Sequence, residues 1–267
     1  MTDSDATPST VKIVNPMSAD YDTAFAAFLA HTDQKERAHE KLAHIVARLP
    51  RRRTLIDAGA GTGQTTAWLA RRFTRTIAIE PNEHLRRKLA RTCPDATILS
   101  EDIATARPDH LADLVLSAHV FYYIPQPSWP AHLQRLASWT AEGGSVVVIL
   151  QNPETDCMRL LRHFTGHRFD LHPLAQAFAD RGWDMTTGTV PATIDAPDLD
   201  TAVIIAQFLL NLVPLPHPPA LDDVAAYLQD RLRVAGSYRL SCDQDFLELR
   251  SPGAGSRPAV TPGDAPG

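Results

Sequence analysis

The chemistry-bearing side chains of this 267-residue chain gather in a few short stretches, each closing an apolar run. The first is Leu55-Ile-Asp57-Ala-Gly59-Ala-Gly61-Thr-Gly63, with glycine at every second position after an acid. Such spacing lets the backbone turn tightly and approach a bulky flat ligand, while the amides opening the next helix can face a carboxylate. A second run ends Ile77-Ala-Ile79-Glu80-Pro81, where the acid can accept both hydroxyls of a ribose. A third ends Ser100-Glu101-Asp102-Ile103, another acceptor at the same edge. The fourth is followed by Ser117-Ala-His119-Val-Phe121-Tyr122-Tyr123. His119 offers an imidazole that is neutral near pH 7 and could orient or deprotonate a bound group. Tyr122 and Tyr123 could wall a pocket, with packing expected for one of them.

Other chemistries fail on spacing. A dinucleotide fingerprint needs glycine three residues after the second one, but Gln64 and Thr66 stand there, and no Gly-Lys-Ser/Thr ending marks a phosphate loop. Cys93, Cys157 and Cys242 are odd in number and far apart, which fits reduced thiols rather than a disulfide framework. His163, His167 and His172 lack a cysteine or carboxylate set, so no metal site is expected. Arg51-Arg-Arg53 reads as a solvated face, and a net charge of −5 gives no electrostatic reason for a nucleic-acid partner.

These residues need elements to hold them. With 44% hydrophobic and 21% charged residues the composition is that of a globular chain, long enough for one large domain or two small ones. A helical segment is expected over Ala19 to Leu49. Strands are expected at Thr54 to Gly59, Thr76 to Glu80, Ala96 to Leu99, Ala112 to Ser117 and Ser145 to Leu150. Helices are expected between them at Thr65 to Phe73, Glu83 to Thr92 and His132 to Ala141. Further on come a helix at Pro173 to Arg181, a strand near Trp183 to Thr189, helices around Thr201 to Leu212 and Leu221 to Val234, and a strand near Phe246 to Leu249. Strands alternating with helices of this length imply parallel crossovers in a doubly wound sheet, with ligands at the carboxyl ends of the strands.

Over about residues 50 to 152 the sequence resembles the class I S-adenosylmethionine-dependent methyltransferases: Asp57-Ala-Gly59-Ala-Gly61-Thr-Gly63 matches Asp/Glu-x-Gly-x-Gly-x-Gly, Glu80 the ribose-binding acid, and Asp102 the adenine-side acid. The resemblance implies an α/β, doubly wound, Rossmann-like, mostly parallel seven-stranded sheet with an N-terminal helical cap and a C-terminal helical insertion. It implies S-adenosyl-L-methionine as cofactor, lined by Asp57, Gly59, Ala60, Gly61, Gly63, Glu80, Pro81, Asp102, Ile103, Ser117 and Ala118. A narrower likeness, in Tyr21-Asp-Thr-Ala-Phe25-Ala-Ala-Phe28-Leu-Ala-His31-Thr-Asp-Gln34, is to the histamine N-methyltransferase branch, whose corresponding segment folds over the acceptor. It implies Tyr21, Phe25, His31, Gln34, Tyr122 and Tyr123 as acceptor-binding residues, and the position after the fourth strand in the wider class I family implies the same of His119, as the catalytic residue. Where that branch has an acid for the substrate's ammonium stands Gln34, which points to a neutral or heteroaromatic acceptor instead. The Asn/Asp-Pro-Pro-aromatic motif of nucleic-acid amino-methylases is missing at Ser117 to Val120.

The expected molecule is a cytoplasmic enzyme, monomer or homodimer, that methylates an amine or heteroaromatic nitrogen of a small molecule, with no nucleic-acid or membrane partner. The alternatives are C- or O-methylation of an aromatic specialised metabolite, or a catalytically silent S-adenosylmethionine-binding protein. Its parts are expected to be a flexible N-terminus (1–18), one domain (19–250) and a disordered Pro/Gly tail (251–267). Within the domain, residues 19–49 form the helical cap, 50–152 the cofactor half and 153–250 the acceptor half.

Overall fold

The computed structural model describes residues 9–14, 19–176, 178 and 183–252, with residues 19–22 and 176 by backbone alone. Residues 1–8, 15–18 and 253–267, all in segments expected to be flexible or disordered, lie outside the described residues, as do 177 and 179–182, onto which the helix expected at Pro173 to Arg181 runs. Parallel strands β1 (Thr54–Ala58), β2 (Arg75–Ile79), β3 (Thr97–Leu99), β4 (Ala112–Ala118) and β5 (Thr140–Gln151) pair in the order β3-β2-β1-β4-β5. Beyond β5 the sheet continues through the strand Gln244–Arg250 to the edge strand β6 (Asp184–Val190), giving seven strands. Strands β7 (Thr193–Ala196), β8 (Arg233–Val234) and β9 (Ser237–Ser241) form a small antiparallel sheet, so the strand Gln244–Arg250 is β10. It is antiparallel to both β5 and β6, which puts its first residues at the carboxyl edge of the parallel strands. The fold is thus the expected Rossmann-like one.

Burial on both faces explains why the strands read as continuous apolar runs. On one face α2 (Gln34–Arg48) presents Ala38, Leu42, Ile45 and Val46 to Leu55, Leu114, Leu116, Val147 and Ile149. Helices α3 (Gln64–Ala70) and α4 (Glu83–Thr92) pack on the same side through Leu69 and Leu89. The opposite face carries α5 (Trp129–Ser138), α6 (Asp156–Thr165), α7 (His172–Gln176), α8 (Leu199–Leu210), α9 (Leu221–Leu232) and, through α8, α1 (Ala19–Ala30). Each fully buried Leu or Ile in these faces contributes about 1.5–3 kcal/mol.

The helical segment expected over Ala19 to Leu49 is two helices. The chain breaks at His31 to Asp33 because it pairs there with β7: Thr32 bridges Ile194, Asp195 N–H donates to His31 O, and Thr193 N–H donates to Asp33 Oδ1. Residues 9–14, read from sequence as part of a flexible terminus, are docked. Val11 is buried and its N–H donates to Pro219 O, Thr10 bridges Ala220, and Asn211 bonds both Lys12 O and Val14 N–H. Among the described residues no helix is long and apolar enough to cross a membrane.

Candidate active site

At the carboxyl edge of β1 the three glycines all adopt positive φ: +91° at Gly59, +57° at Gly61 and +85° at Gly63. Their roles separate once a side chain is imagined on each. A Cβ on Gly59 would collide with Val120, and one on Gly63 would come within 2.6 Å of Leu89 Cδ1, so these two let neighbouring elements close on the loop. A Cβ on Gly61 would meet nothing within 4 Å, which makes it the place where backbone faces open space and a ligand can come close.

Acids frame this loop. Glu80, nearly buried, accepts from Gly61 N–H through Oε2 (2.8 Å) and from Asn82 N–H through Oε1 (2.9 Å), and burial raises its pKa. Asp57 is buried beside Thr66, whose hydroxyl donates to it at 2.7 Å, and desolvation pushes its pKa up to about 6. Asp57 therefore braces the loop to α3 and is not on display to a ligand. Asp102 is exposed, its Oδ1 accepting from Thr105 N–H (2.9 Å) and Oγ1 (2.6 Å), bonds that hold its pKa low. Ile103 is buried in the main core, Pro81 is exposed, and Ala60 and Ala118 are half-buried. Ser117 is fully buried, and its Oγ has no hydrogen-bond partner among the described residues.

His119 follows β4 with φ +60°, in the left-handed region that few non-glycine residues occupy and where active-site strain is often found. Its Nε2 lies 3.1 Å from Gln244 Oε1, and Gln244 Nε2 donates to Gln34 O at 2.8 Å. A backbone carbonyl can only accept, so Gln244 must turn its amide nitrogen to Gln34 and its oxygen to His119. His119 then carries its proton on Nε2 and a lone pair on Nδ1, a tautomer inferred from the network. Burial lowers the His119 pKa to about 4, so the ring is neutral at physiological pH.

The acceptor-side residues expected from sequence divide. Tyr122 is buried, its hydroxyl accepts from Gln151 N–H (2.6 Å), and its ring lies 6.1 Å from that of His119 and edge-on to Phe169. Tyr123 is 58% exposed, so the packed member of the pair is Tyr122. Phe25 packs on Phe208 of α8, with ring centroids 5.4 Å apart. His31 bonds Ala27 O through Nδ1 at the end of α1. Gln34 is buried, and its side-chain amide donates to Cys242 O (3.1 Å), so it staples α2 to the β9–β10 turn. The side chain of Tyr21 lies outside the described residues.

Three polar residues at this edge escaped the sequence reading because no motif marks them. Gln244 and Asp245 open β10, and Lys35 opens α2. Lys35 Nζ donates to the side chain of Gln64 at the first turn of α3, and burial lowers its pKa. Nearby, His39 stacks on Trp68 at 4.1 Å and meets Thr65 Oγ1 at 3.2 Å, which docks α2 over the start of α3.

A family model described as a methyltransferase domain matches residues 29–188. No curated protein matches the chain. Solved structures do: the N-methyltransferase NodS from Bradyrhizobium japonicum WM9 in complex with S-adenosyl-L-homocysteine has a TM-score of 0.54 at 14% identity, covering 88% of this chain and all of that one. A protein from Bacillus halodurans C-125 has a TM-score of 0.58 at 12% identity over 82% of this chain and 99% of that chain. At such identities the structures speak for the fold alone, and it is the family match across more than half of the sequence that assigns the chain to the methyltransferase domain family as a class I S-adenosylmethionine-dependent methyltransferase.

Proposed function

We propose that this enzyme methylates a nitrogen of a small-molecule amine or heteroaromatic compound. The observation that carries the reading is His119: a strained, neutral imidazole at the carboxyl edge of β4 whose Nε2–H is spent on Gln244, leaving Nδ1 as an acceptor. S-adenosylmethionine, when bound, supplies an electrophilic methyl group on a sulfonium centre. The loop around Gly61 leaves room for that cofactor, Glu80 would hold its ribose, and Lys35 would face its carboxylate. A nitrogen nucleophile needs its lone pair free and no strong base. The lone pair on His119 Nδ1 serves that need by accepting a hydrogen bond from the acceptor's N–H, which turns the nitrogen lone pair toward the methyl group. Tyr122 lies beside His119 and is backed by Phe169 and, behind it, Trp129, an aromatic cluster that supports the imidazole. Orientation of this kind can contribute ~7–11 kcal/mol in favourable systems.

Nothing in the family or structural matches points to the histamine N-methyltransferase branch, and Gln34 is committed to Cys242, so histamine is not proposed as the acceptor. The reading is tested by following S-adenosylhomocysteine release with panels of amines, heteroaromatics and phenols, and locating the new methyl group by mass spectrometry. Nitrogen methylation that falls at least about tenfold in His119→Ala supports it. Products methylated only on oxygen or carbon overturn it.

A further inference from the structure

A second polar feature lies at the same edge and is not used by the roles given above. Asp245, 6% exposed, is the second residue of β10. Its Oδ1 accepts from Asn152 Nδ2 (3.0 Å) and Thr189 Oγ1 (2.7 Å), which fixes the side chain. Its Oδ2 is buried and has no hydrogen-bond partner among the described residues. A buried carboxylate oxygen left without a donor is costly enough that folded proteins rarely keep one unless something binds it. Asp245 lines a small cavity of about 60 Å³ together with Leu171, His172, Thr189, Phe246 and Leu247, room enough for an ammonium head group between apolar walls, a hydroxyl and the carboxylate. His172, the other titratable lining residue, bonds Asp170 through both its backbone N–H and Nδ1 and is exposed.

Register relates this cavity to His119. Ala118 pairs with Ile149, and Leu150, the next residue of β5, pairs with Asp245. His119 and Asp245 therefore stand level on strands either side of β5, about 10 Å apart by backbone at the usual strand spacing of ~4.8 Å.

We propose that Asp245 binds a protonated amine of the methyl acceptor, remote from the nitrogen that is methylated, so that the substrate is a polyfunctional amine with one cationic anchor. This rests on the nitrogen-methylation reading and adds to it the charge and bifunctional character of the substrate. A carboxylate between apolar walls favours a cation over a neutral hydroxyl, because the charge-assisted bond is roughly twice as strong as a neutral one.

The experiment uses the full chain saturated with S-adenosylhomocysteine and titrates it calorimetrically with α,ω-diaminoalkanes, the matching monoamines and the matching diols. Wild type is expected to bind a diamine at least about tenfold more tightly than the diol of equal length. Asp245→Asn keeps the acceptor oxygen for Asn152 and Thr189, so it should lose that preference while retaining S-adenosylhomocysteine affinity. Equal binding of diamine and diol by wild type, no binding of any diamine, or an undiminished preference in Asp245→Asn overturns the proposal. The wild-type ranking stands as a test even if the variant folds poorly. Product analysis keeps the two readings apart: transfer to oxygen or carbon fails the nitrogen reading, whereas nitrogen transfer with an indifferent Asp245→Asn fails only this one.

Discussion

The glycines of the first loop look equivalent in sequence and are not equivalent in the fold. Gly61→Arg projects into open space, so it should abolish S-adenosylhomocysteine binding by calorimetry while lowering stability only by the ~1–2 kcal/mol of a left-handed non-glycine residue. Gly59→Ala should do the reverse in emphasis: its methyl displaces Val120 and costs about 1–3 kcal/mol more than the backbone strain, read as a shift in the urea midpoint. Asp57 gives a pH signature. Its folded pKa of about 6 lies above the ordinary 3.8, so between those values the folded state holds the proton that the unfolded state has lost. Stability therefore falls as pH rises from about 4 to 6 and stays reduced above, by roughly 3 kcal/mol for a shift of this size. Asp57→Asn should flatten that fall, and denaturant midpoints measured across this range check it. The places of Asp57, Gly61, Glu80 and His119 at the carboxyl edge of the sheet were legible because each lies at or just past the end of an apolar strand in an alternating pattern. What could not be read was which of them faces inward, since Asp57 turns to Thr66 and Glu80 to the loop amides only once α3 and β2 are in place.

Among the elements, α2 is held at its start by amide bonds rather than by a side-chain cap. Gln34 donates to Cys242 O, and its own carbonyl receives Gln244. Gln34→Ala leaves Cys242 O without its donor and should cost about 1–3 kcal/mol. It should also raise amide exchange in the first turn of α2, measured by hydrogen exchange with mass spectrometry. The parallel core was readable from sequence because apolar strands and amphipathic helices alternate there with Gly and Pro between them. The rest was harder for specific reasons. The break between α1 and α2 carries no Gly or Pro and exists because His31, Thr32 and Asp33 pair with β7. Strands β7 and β9 are too short to show a period, with only Ile194 and Ala196, or Tyr238 and Leu240, turned inward. Helix α6 was overlooked although Thr155 caps its start and Gly166, at φ +74°, ends it.

Across the whole molecule, the described part of the first fifty residues is bound to the C-terminal third. Residues 9–14 lie against Asn211, Pro219 and Ala220, Phe25 and Phe28 against Phe208, Gln34 against Cys242, and Arg48 against Glu248 at 2.6 Å. Val11→Asp places a charge at a position 1% exposed, so it should lower stability by about 2–4 kcal/mol in denaturant unfolding, with S-adenosylhomocysteine affinity unchanged once folded.

The placement of β10 between β5 and β6 also sets an order of events during synthesis. Strand β6 leaves the ribosome before β10 yet gains its sheet partner when β10 arrives, because among the described residues its neighbour in the seven-stranded sheet is β10 alone. The staple for α2 and the bond that sets the tautomer of His119 come from the same late segment, Cys242 to Gln244. A nascent chain can therefore assemble the half that carries the glycine loop while the segment beyond β5 still waits, and the imidazole of His119 is fixed in its tautomer only when the last strand is inserted.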